Sequence, residues 1–456
     1  MDGILDFLNQ LVFGPNDTSK IIECSANSTC EVAHSIVIAL LVFFTLLTGF
    51  AYTTVLERRF IAAIQSRIGP NRAGPAGLLQ PVADGIKLIF KEDLTPAGAD
   101  KIVFHIAPII KVIPALTVLA TVPLGPKVTI PWFDGNWYRL PQGILNVEVG
   151  VLWILAITSL SVYGVTLAGW ASNNKYAMLG SLRSTASMIS YELSLGTLFA
   201  VPILLAGSMA ISDIVLDQQG FFNWYIFKNP LAALLFFLAL MIEINRAPFD
   251  MPEAEQELVA GHITEYSGMR FAMFYMAEYI NMIGISVIWA TMFLGGYDDG
   301  FGLVNGFPLL AIPVIAAKVI PMLLLMIWIR GTIFRPRYDR LMTFGWKLLL
   351  PVSILAVAWT AISIVIAEEG GGQTTYLISS AILFVITLGM AVAFVRAINP
   401  STVPTDTEEF NPLSRGFSGI ILLAVGSLLA IPFAIYDIAT SVLKNIQEAA
   451  AVRQNR

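Results

Sequence analysis

The chain has 456 residues, 56% of them hydrophobic and 13% charged, with a formal net charge of −5. Soluble domains carry roughly 25% charged residues, so this composition excludes a soluble enzyme; lacking any basic domain, it also excludes a nucleic-acid binder. Two cysteines are too few for an iron–sulphur cluster, which usually needs four thiolates.

Uncharged apolar runs of about 20 residues, the length that crosses a hydrocarbon core, recur from residue 33 almost to the end. Backbone groups in lipid must be satisfied internally, so the fold class is all-α, a polytopic helical membrane protein. Barrel strands would be half as long and alternating.

Residues 1–32 form an N-terminal segment that does not read as a secretory signal, because Asp2 and Asp6 stand where Lys or Arg would be. Ile4, Leu5, Leu8, Leu11 and Val12 fall at helical spacing, which fits a short helix at the membrane interface or ordinary surface packing. Spans are expected at 33–56, 102–125, 147–170, 187–209, 229–246, 267–294, 309–333, 347–367, 376–396 and 418–440, about ten in all. One set of connections holds 18 of the 27 Lys and Arg residues and the opposite set 7, with Lys111 and Lys318 inside spans. The richer set faces the cytoplasm, so both termini lie outside, in the plasma membrane of a bacterial cell. Cys24 and Cys30 then lie on the oxidising side, either paired or as two free thiols.

Two connections stand out. Residues 57–101 are too polar to cross, yet Leu78, Val82, Ile86 and Ile89 recur at helical spacing opposite Asp84, Lys87 and Lys91. Such a segment lies along the membrane surface. Residues 247–266 form a short acidic loop.

Glu192, Glu243, Glu278, Lys111 and Lys318 fall inside apolar spans. An ionisable group at membrane depth costs several kcal/mol unless neutralised, paired or hydrated, and it usually marks an ion or proton path. At about 1.5 Å per residue from the cytoplasmic end of each span, Glu243 sits roughly 5 Å deep, Glu192 about 9 Å and Glu278 about 16 Å. Glu253, Glu255 and Glu257 alternate beside this series and repel one another unless protonated or matched by a cation. Crowded carboxylates have raised, coupled pKa values suited to proton exchange. Gly69 and Gly74 have P-loop spacing, but Pro75 and Ala76 stand where Lys and Ser or Thr are needed. His34, His105 and His262 are scattered and form no metal spacing. No nucleotide-binding glycine motif opens a helix, so electrons for any redox step come from another chain.

Several segments carry a family likeness. Glu57-Arg58-Arg59, Gln65 through Arg72 and Leu78 through Asp84 resemble the H subunit of respiratory NADH–quinone oxidoreductase, complex I. So do Glu243 through Glu255, Glu265 through Gly268, Met276 through Tyr279 and Arg335 through Asp339. The resemblance spans residues 33 to about 367. It implies an eight-span core at 33–367, with surface helices within 57–101 and the acidic loop 247–266, followed by an extension of two spans at 368–456.

The resemblance also implies a function. The chain would be a membrane subunit of a proton-pumping translocase, forming part of the quinone chamber and linking quinone reduction to proton translocation. Quinone would be a substrate at a subunit interface, with no flavin, iron–sulphur cluster, metal or complete redox centre in this chain. Implied partners are peripheral quinone-reducing and iron–sulphur subunits, small membrane subunits, antiporter-like membrane subunits and membrane lipids, but no nucleic acid. By motif, Glu192, Glu243, Glu253, Glu255, Glu257 and Glu278 match the proton-coupling acids. Arg58, Arg67, Asp84, Arg183 and Arg246 match positions that line or support the quinone chamber. The alternatives are the membrane anchor of a related membrane-bound hydrogenase, which need not admit quinone, and a free-standing ion carrier. The carrier would predict internal repeats or interrupted spans, and neither is found.

Overall fold

The computed structural model describes residues 21–24, 28–131, 137–252, 255–370 and 382. The chain divides into two compact units, Met1–Phe384 and Val385–Arg456, and all described residues belong to the first. The expected interfacial helix within 1–15 and the spans at 376–396 and 418–440 lie outside the described residues.

Long apolar helices dominate, so the chain is a polytopic helical membrane protein. Among the described residues seven helices are long and apolar enough to cross a membrane, and the apolar helix Pro230–Glu243 is shorter. In chain order the principal helices are α1 (Ser28–Ile64), α2 (Gln80–Phe90), α3 (Lys101–Thr117), α4 (Gly150–Ala171) and α5 (Lys175–Ala206). They continue as α6 (Ile211–Asp217), α7 (Pro230–Glu243), α8 (Gly268–Phe293), α9 (Ala311–Thr332), α10 (Tyr338–Phe344) and α11 (Leu350–Gly370). Side-chain caps start several of them. Asp100 accepts from the amides of Ile102 and Val103, and Asn174 from that of Tyr176.

Two helices exceed their expected spans. α1 has 37 residues, about 55 Å at 1.5 Å per residue, so it carries Glu57, Arg58 and Arg59 on helix instead of in a connection. α5 begins at Lys175, twelve positions before the expected 187. Ser181 and Thr185 make that stretch read as polar, but their hydroxyls donate to the carbonyls of Met178 and Ser181 at 2.9 and 2.8 Å. Polar groups satisfied within their own helix do not end it. Glu192 therefore sits near the middle of α5, deeper along its helix than a count from 187 implies.

Small residues let the helices approach. α3 packs on α4, α4 on α5, α8 on α3, and α11 on α5. A Cβ on Gly164 of α4 would lie 2.8 Å from the backbone nitrogen of Lys111 in α3, and one on Gly169 would lie 2.2 Å from Ser181 Oγ in α5. Membrane helices, with no hydrophobic drive between them, associate through such close backbone contact. Phe104, Ala168, Ile263, Tyr266 and Phe274 form one buried cluster among α3, α4 and α8, with the Phe104 and Tyr266 rings stacked at 4.0 Å.

α2 is the amphipathic surface helix after the first span. Val82, Ile86 and Ile89 are 57%, 51% and 61% exposed, so its apolar face is turned away from the rest of the protein, as a helix lying on lipid requires.

Strands were not expected. Three short ones, β1 (Ile21–Glu23), β2 (Gly125–Pro131) and β3 (Trp137–Gln142), form a sheet in the order β1-β3-β2. β1 runs parallel to β3 with Ile22 opposite Tyr138, and β2 runs antiparallel to β3 with Val128 opposite Leu140. Cys24 and Cys30 are joined as a disulfide, tying β1 to the first turn of α1.

Candidate functional site

The buried charges gather where α3, α5, α7 and α8 meet. Lys111 of α3, Glu243 at the end of α7 and Glu278 of α8 are 3%, 6% and 7% exposed. Lys111 lies within electrostatic reach of both Glu278 and Glu243, and Glu243 within reach of Glu192. One cation thus stands between two carboxylates from two other helices, with Glu192 of α5 beyond Glu243. Gly164 permits this, since any side chain there would strike the α3 backbone at Lys111 itself.

α7 has 14 residues, about 21 Å at 1.5 Å per residue, so it stops short of a full crossing. Its end falls inside the protein, and Asn245 takes a left-handed conformation, φ 58°, that turns the chain there. Glu243, Asn245 and Arg246 are all buried in consequence. Oε2 of Glu243 has no hydrogen-bond partner among the described residues. It borders a narrow cleft that is also lined by Thr158, Ser161 and Asn281.

A second set of charges continues the line. Arg246 lies within reach of Glu278, and its guanidinium stacks 4.0 Å over the Tyr279 ring. Its Nη1 is 3.3 Å from Oε2 of Glu57, and the other oxygen of Glu57 accepts from Arg330 of α9. Glu57, Arg246 and Arg330 form the polar end of a narrow cleft whose walls include Met241, Met282 and Met326.

Glu57 was not among the expected site residues, because Glu57-Arg58-Arg59 reads as the polar end of a span. A signal was present. Val42, Leu46, Gly49, Thr53 and Glu57 fall at helical spacing; four of them are buried, and a Cβ on Gly49 would lie 3.0 Å from Ile283. Glu57 extends the inward stripe by one more turn. Arg58, one residue on, is exposed.

The acidic loop is partly described. Glu253 lies outside the described residues, as does the side chain of Glu255, while the backbone of Glu255–Leu258 forms a helical turn. Glu257 meets Arg183 of α5 at 2.6 Å and Arg335 at 3.6 Å. The hydrogen bond from Arg183 holds its carboxyl below the usual range against some burial, with Arg335 adding to the effect. The cation that alternating glutamates require is therefore supplied, for Glu257, by two arginines. Arg335 also donates to the Asp250 carbonyl at 3.1 Å.

His262, dismissed as scattered, closes the loop onto the helices. It is buried in the turn Gly261–Ile263, where its ring donates to the carbonyl of Pro252 and Nδ1 has no partner among the described residues. Burial, and then the nearby Lys111, push its pKa down to about 3. Gly180 of α5 makes room, for a Cβ there would lie 2.8 Å from both the Pro252 carbonyl and Gly261.

The remaining expected residues sit apart from the buried line. Arg58 pairs with Asp84 of α2 at 2.7 Å, fastening the surface helix to α1. Arg67 is exposed and donates to Gln65 at 2.7 Å, just after the left-handed Ser66 ends α1. These three flank α1 and α2; Arg183 belongs with the acidic loop, and of the five only Arg246 joins the buried charges.

Comparison with known proteins identifies this arrangement. Residues 36–361 match the family model described as NADH dehydrogenase. The chain is 48% identical over 322 residues to the second H subunit of the NADH-quinone oxidoreductase of Geobacter sulfurreducens, covering 70% of this chain and 93% of the relative. The chain belongs to the family of NADH–quinone oxidoreductase H subunits. Subunit 8 of the Thermus thermophilus enzyme is 44% identical over 353 residues, 77% of this chain and 92% of that one. The H subunit of the Thermomicrobium roseum enzyme is 45% identical over 339 residues, 72% and 96%. Every charge described above, from Glu57 to Arg330, falls inside the stretch matched by the family model. The hydrogenase-anchor and carrier readings are not favoured.

Proposed function

We propose that this chain, as a membrane subunit of an NADH–quinone oxidoreductase complex, receives quinone at the edge of the membrane and passes the effect of its reduction into the bundle as changes of protonation. The observation that carries the reading is the line of charges Glu192, Glu243, Lys111, Glu278, Arg246, Glu57 and Arg330, buried from Glu243 to Glu57 and reaching the surface at Arg330. It runs from the middle of α5 to a methionine-walled cleft between α1, α8 and α9. An apolar ligand with a polar head wants apolar walls and a few polar groups at one end; this cleft has that lining, and its narrow space would have to widen between α1, α8 and α9 to admit a quinone ring. Arg58 and Asp84 hold the surface helix beside α1, with Arg67 exposed just past the end of α1, which supports an entrance on that flank.

Quinone reduction takes up electrons supplied by partner subunits and requires protons. Glu278, Glu243 and Glu192 are the groups in the line that release or accept one. The narrow cleft beside Glu243 has three polar side chains and room for about one water at most, which would carry a proton where the carboxylates do not touch. Glu253, Glu255 and Glu257 form the outer group of acids, with Arg183 and Arg335 holding Glu257. Partners on this reading are peripheral quinone-reducing and iron–sulphur subunits, together with small and antiporter-like membrane subunits. Lys and Arg counts support a cytoplasmic position for the acidic loop and outer positions for both termini in a bacterial plasma membrane. The Cys24–Cys30 disulfide agrees, since such bonds belong to oxidising compartments. The family core would occupy 33–367, with 368–456 as an extension.

Glu→Gln keeps volume and hydrogen bonding but removes the titrating proton. Glu192→Gln and Glu278→Gln should therefore each give an assembled complex with reduced quinone-linked turnover and proton translocation, checked by native gel and then on the same preparation. Normal pumping with both residues changed together would remove them from the path.

A further inference from the structure

Lys318 belongs to none of this. It lies two turns into α9, at the end of the bundle opposite Arg330, and is half-buried. Its ammonium donates to three backbone carbonyls, those of Leu294 at 2.5 Å, Gly296 at 2.9 Å and Asp298 at 2.5 Å. The Trp224 ring lies 4.5 Å from the same nitrogen. All three carbonyls follow the end of α8, the helix that carries Glu278.

The cage is built by the turn after α8, not by the lysine. Gly295 and Gly296 take left-handed conformations, φ 71° and 54°, which only glycine adopts without strain. Neither has space for a side chain, since a Cβ would lie 3.0 Å from Trp224 and 3.1 Å from Val215 respectively. Gln218, fully buried, accepts from the amides of Gly295 and Tyr225 and donates to the carbonyls of Ile214 and Thr291. Asp298 accepts from the amides of Gly220 and Gly300, and Asp299 caps the turn at Leu303 and Val304. These bonds aim the three carbonyls at one point without help from Lys318. Two carboxylates, Asp298 and Asp299, lie within electrostatic reach of that point.

Three converging carbonyls, an aromatic face and nearby negative charge form a site for a small monovalent cation. We propose that the turn 294–298 is such a cation site, and that the Lys318 ammonium is its permanent, tethered occupant. Tethering fixes the far end of α8 against α9 whatever cations the surrounding medium holds. A loose ion in the same cage would make that closure depend on its concentration.

The test compares variants in the assembled complex, by its thermal half-life in choline, potassium and methylammonium media. Wild type should show one half-life in all three. Lys318→Ala leaves the cage empty and should shorten the half-life in choline by about fivefold or more, since buried carbonyls lose their donors. Methylammonium, which matches the lost group, should restore at least half of the loss, and potassium part of it. Lys318→Met should show the same fall with no restoration, because its side chain fills the space. If Lys318→Ala does not accumulate, Lys318→Arg decides, because it keeps the charge and the donors. Its half-life should stay within about twofold of wild type, well above that of Lys318→Met. A Lys318→Ala complex as durable as wild type in choline, a loss that no small cation repairs, or an arginine variant no better than methionine would overturn the proposal.

Discussion

Glu57 accepts from Arg330 and lies 3.3 Å from the Arg246 guanidinium, so one carboxylate balances two cations, of which Arg246 is shared with Glu278. Removing one partner of a buried pair costs roughly 3–5 kcal/mol, because the other charge is left uncompensated. Glu57→Gln should therefore lower the yield of assembled complex on a native gel, where Glu278→Gln assembles and loses turnover. An assembled, fully stable Glu57→Gln complex would make the contact with Arg330 dispensable. His262 has a different consequence, because its folded pKa of about 3 lies below the ordinary 6.5 or so of a free histidine. The folded state holds the ring neutral, so its contribution to stability is complete above about pH 6.5 and is lost progressively as pH falls toward 3. At pH 5 the loss should reach about 2 kcal/mol. His262→Gln, which can still donate to Pro252, should flatten the fall of thermal stability between pH 6.5 and 5; an unchanged slope would assign the acid sensitivity elsewhere. Neither role was legible in the linear chain. Glu57 stands among arginines as a surface acid would, and His262 has no metal-like spacing; only packing reveals which way each side chain turns.

Elements were read more securely than their ends. The eight apolar stretches between 33 and 367 each coincide with a helix, because twenty uncharged residues in lipid have no other way to satisfy their backbone. Ends were misjudged where polarity and helicity part company. Serines and threonines that bond to their own helix lengthen α5, and a helix that outruns the bilayer places Glu57 inside α1. The short β-strands carried no readable periodicity, being three to seven residues long. The contact of α3 with α4 offers a test at this scale. Gly164→Val would place two further methyl groups against the backbone at Lys111. Overpacking of this kind costs about 1–3 kcal/mol, and it would also move the Lys111 ammonium away from Glu243 and Glu278. Expected outcomes are a lower thermal midpoint and reduced quinone-linked turnover, whereas Gly196→Ala, with open space around it, should alter neither.

For the molecule as a whole, the stretch matched by the family ends at residue 361, and the chain continues for another 95 residues. Those residues place no Asp, Glu, Lys or Arg in the middle of either expected span, so a packing or lipid-facing role is the expectation. A chain cut after Glu369 should keep most quinone reduction; complete loss of activity in a complex that still assembles would refute that role. Composition by itself determined that the protein spans a membrane, because so few charges cannot cover a water-soluble surface. Local order determined the apolar helices, the amphipathic surface helix and the buried carboxylates Glu243 and Glu278, since charge inside an apolar run is visible without coordinates. The tertiary structure decided their company. Lys111 stands between Glu243 and Glu278, Arg246 and Arg330 share Glu57, and Lys318 fills a carbonyl cage, although sequence separations in these groups run from about twenty to more than two hundred residues. Electrostatic partnership depends on distance through space, and close helix packing at glycines such as Gly164 sets that distance.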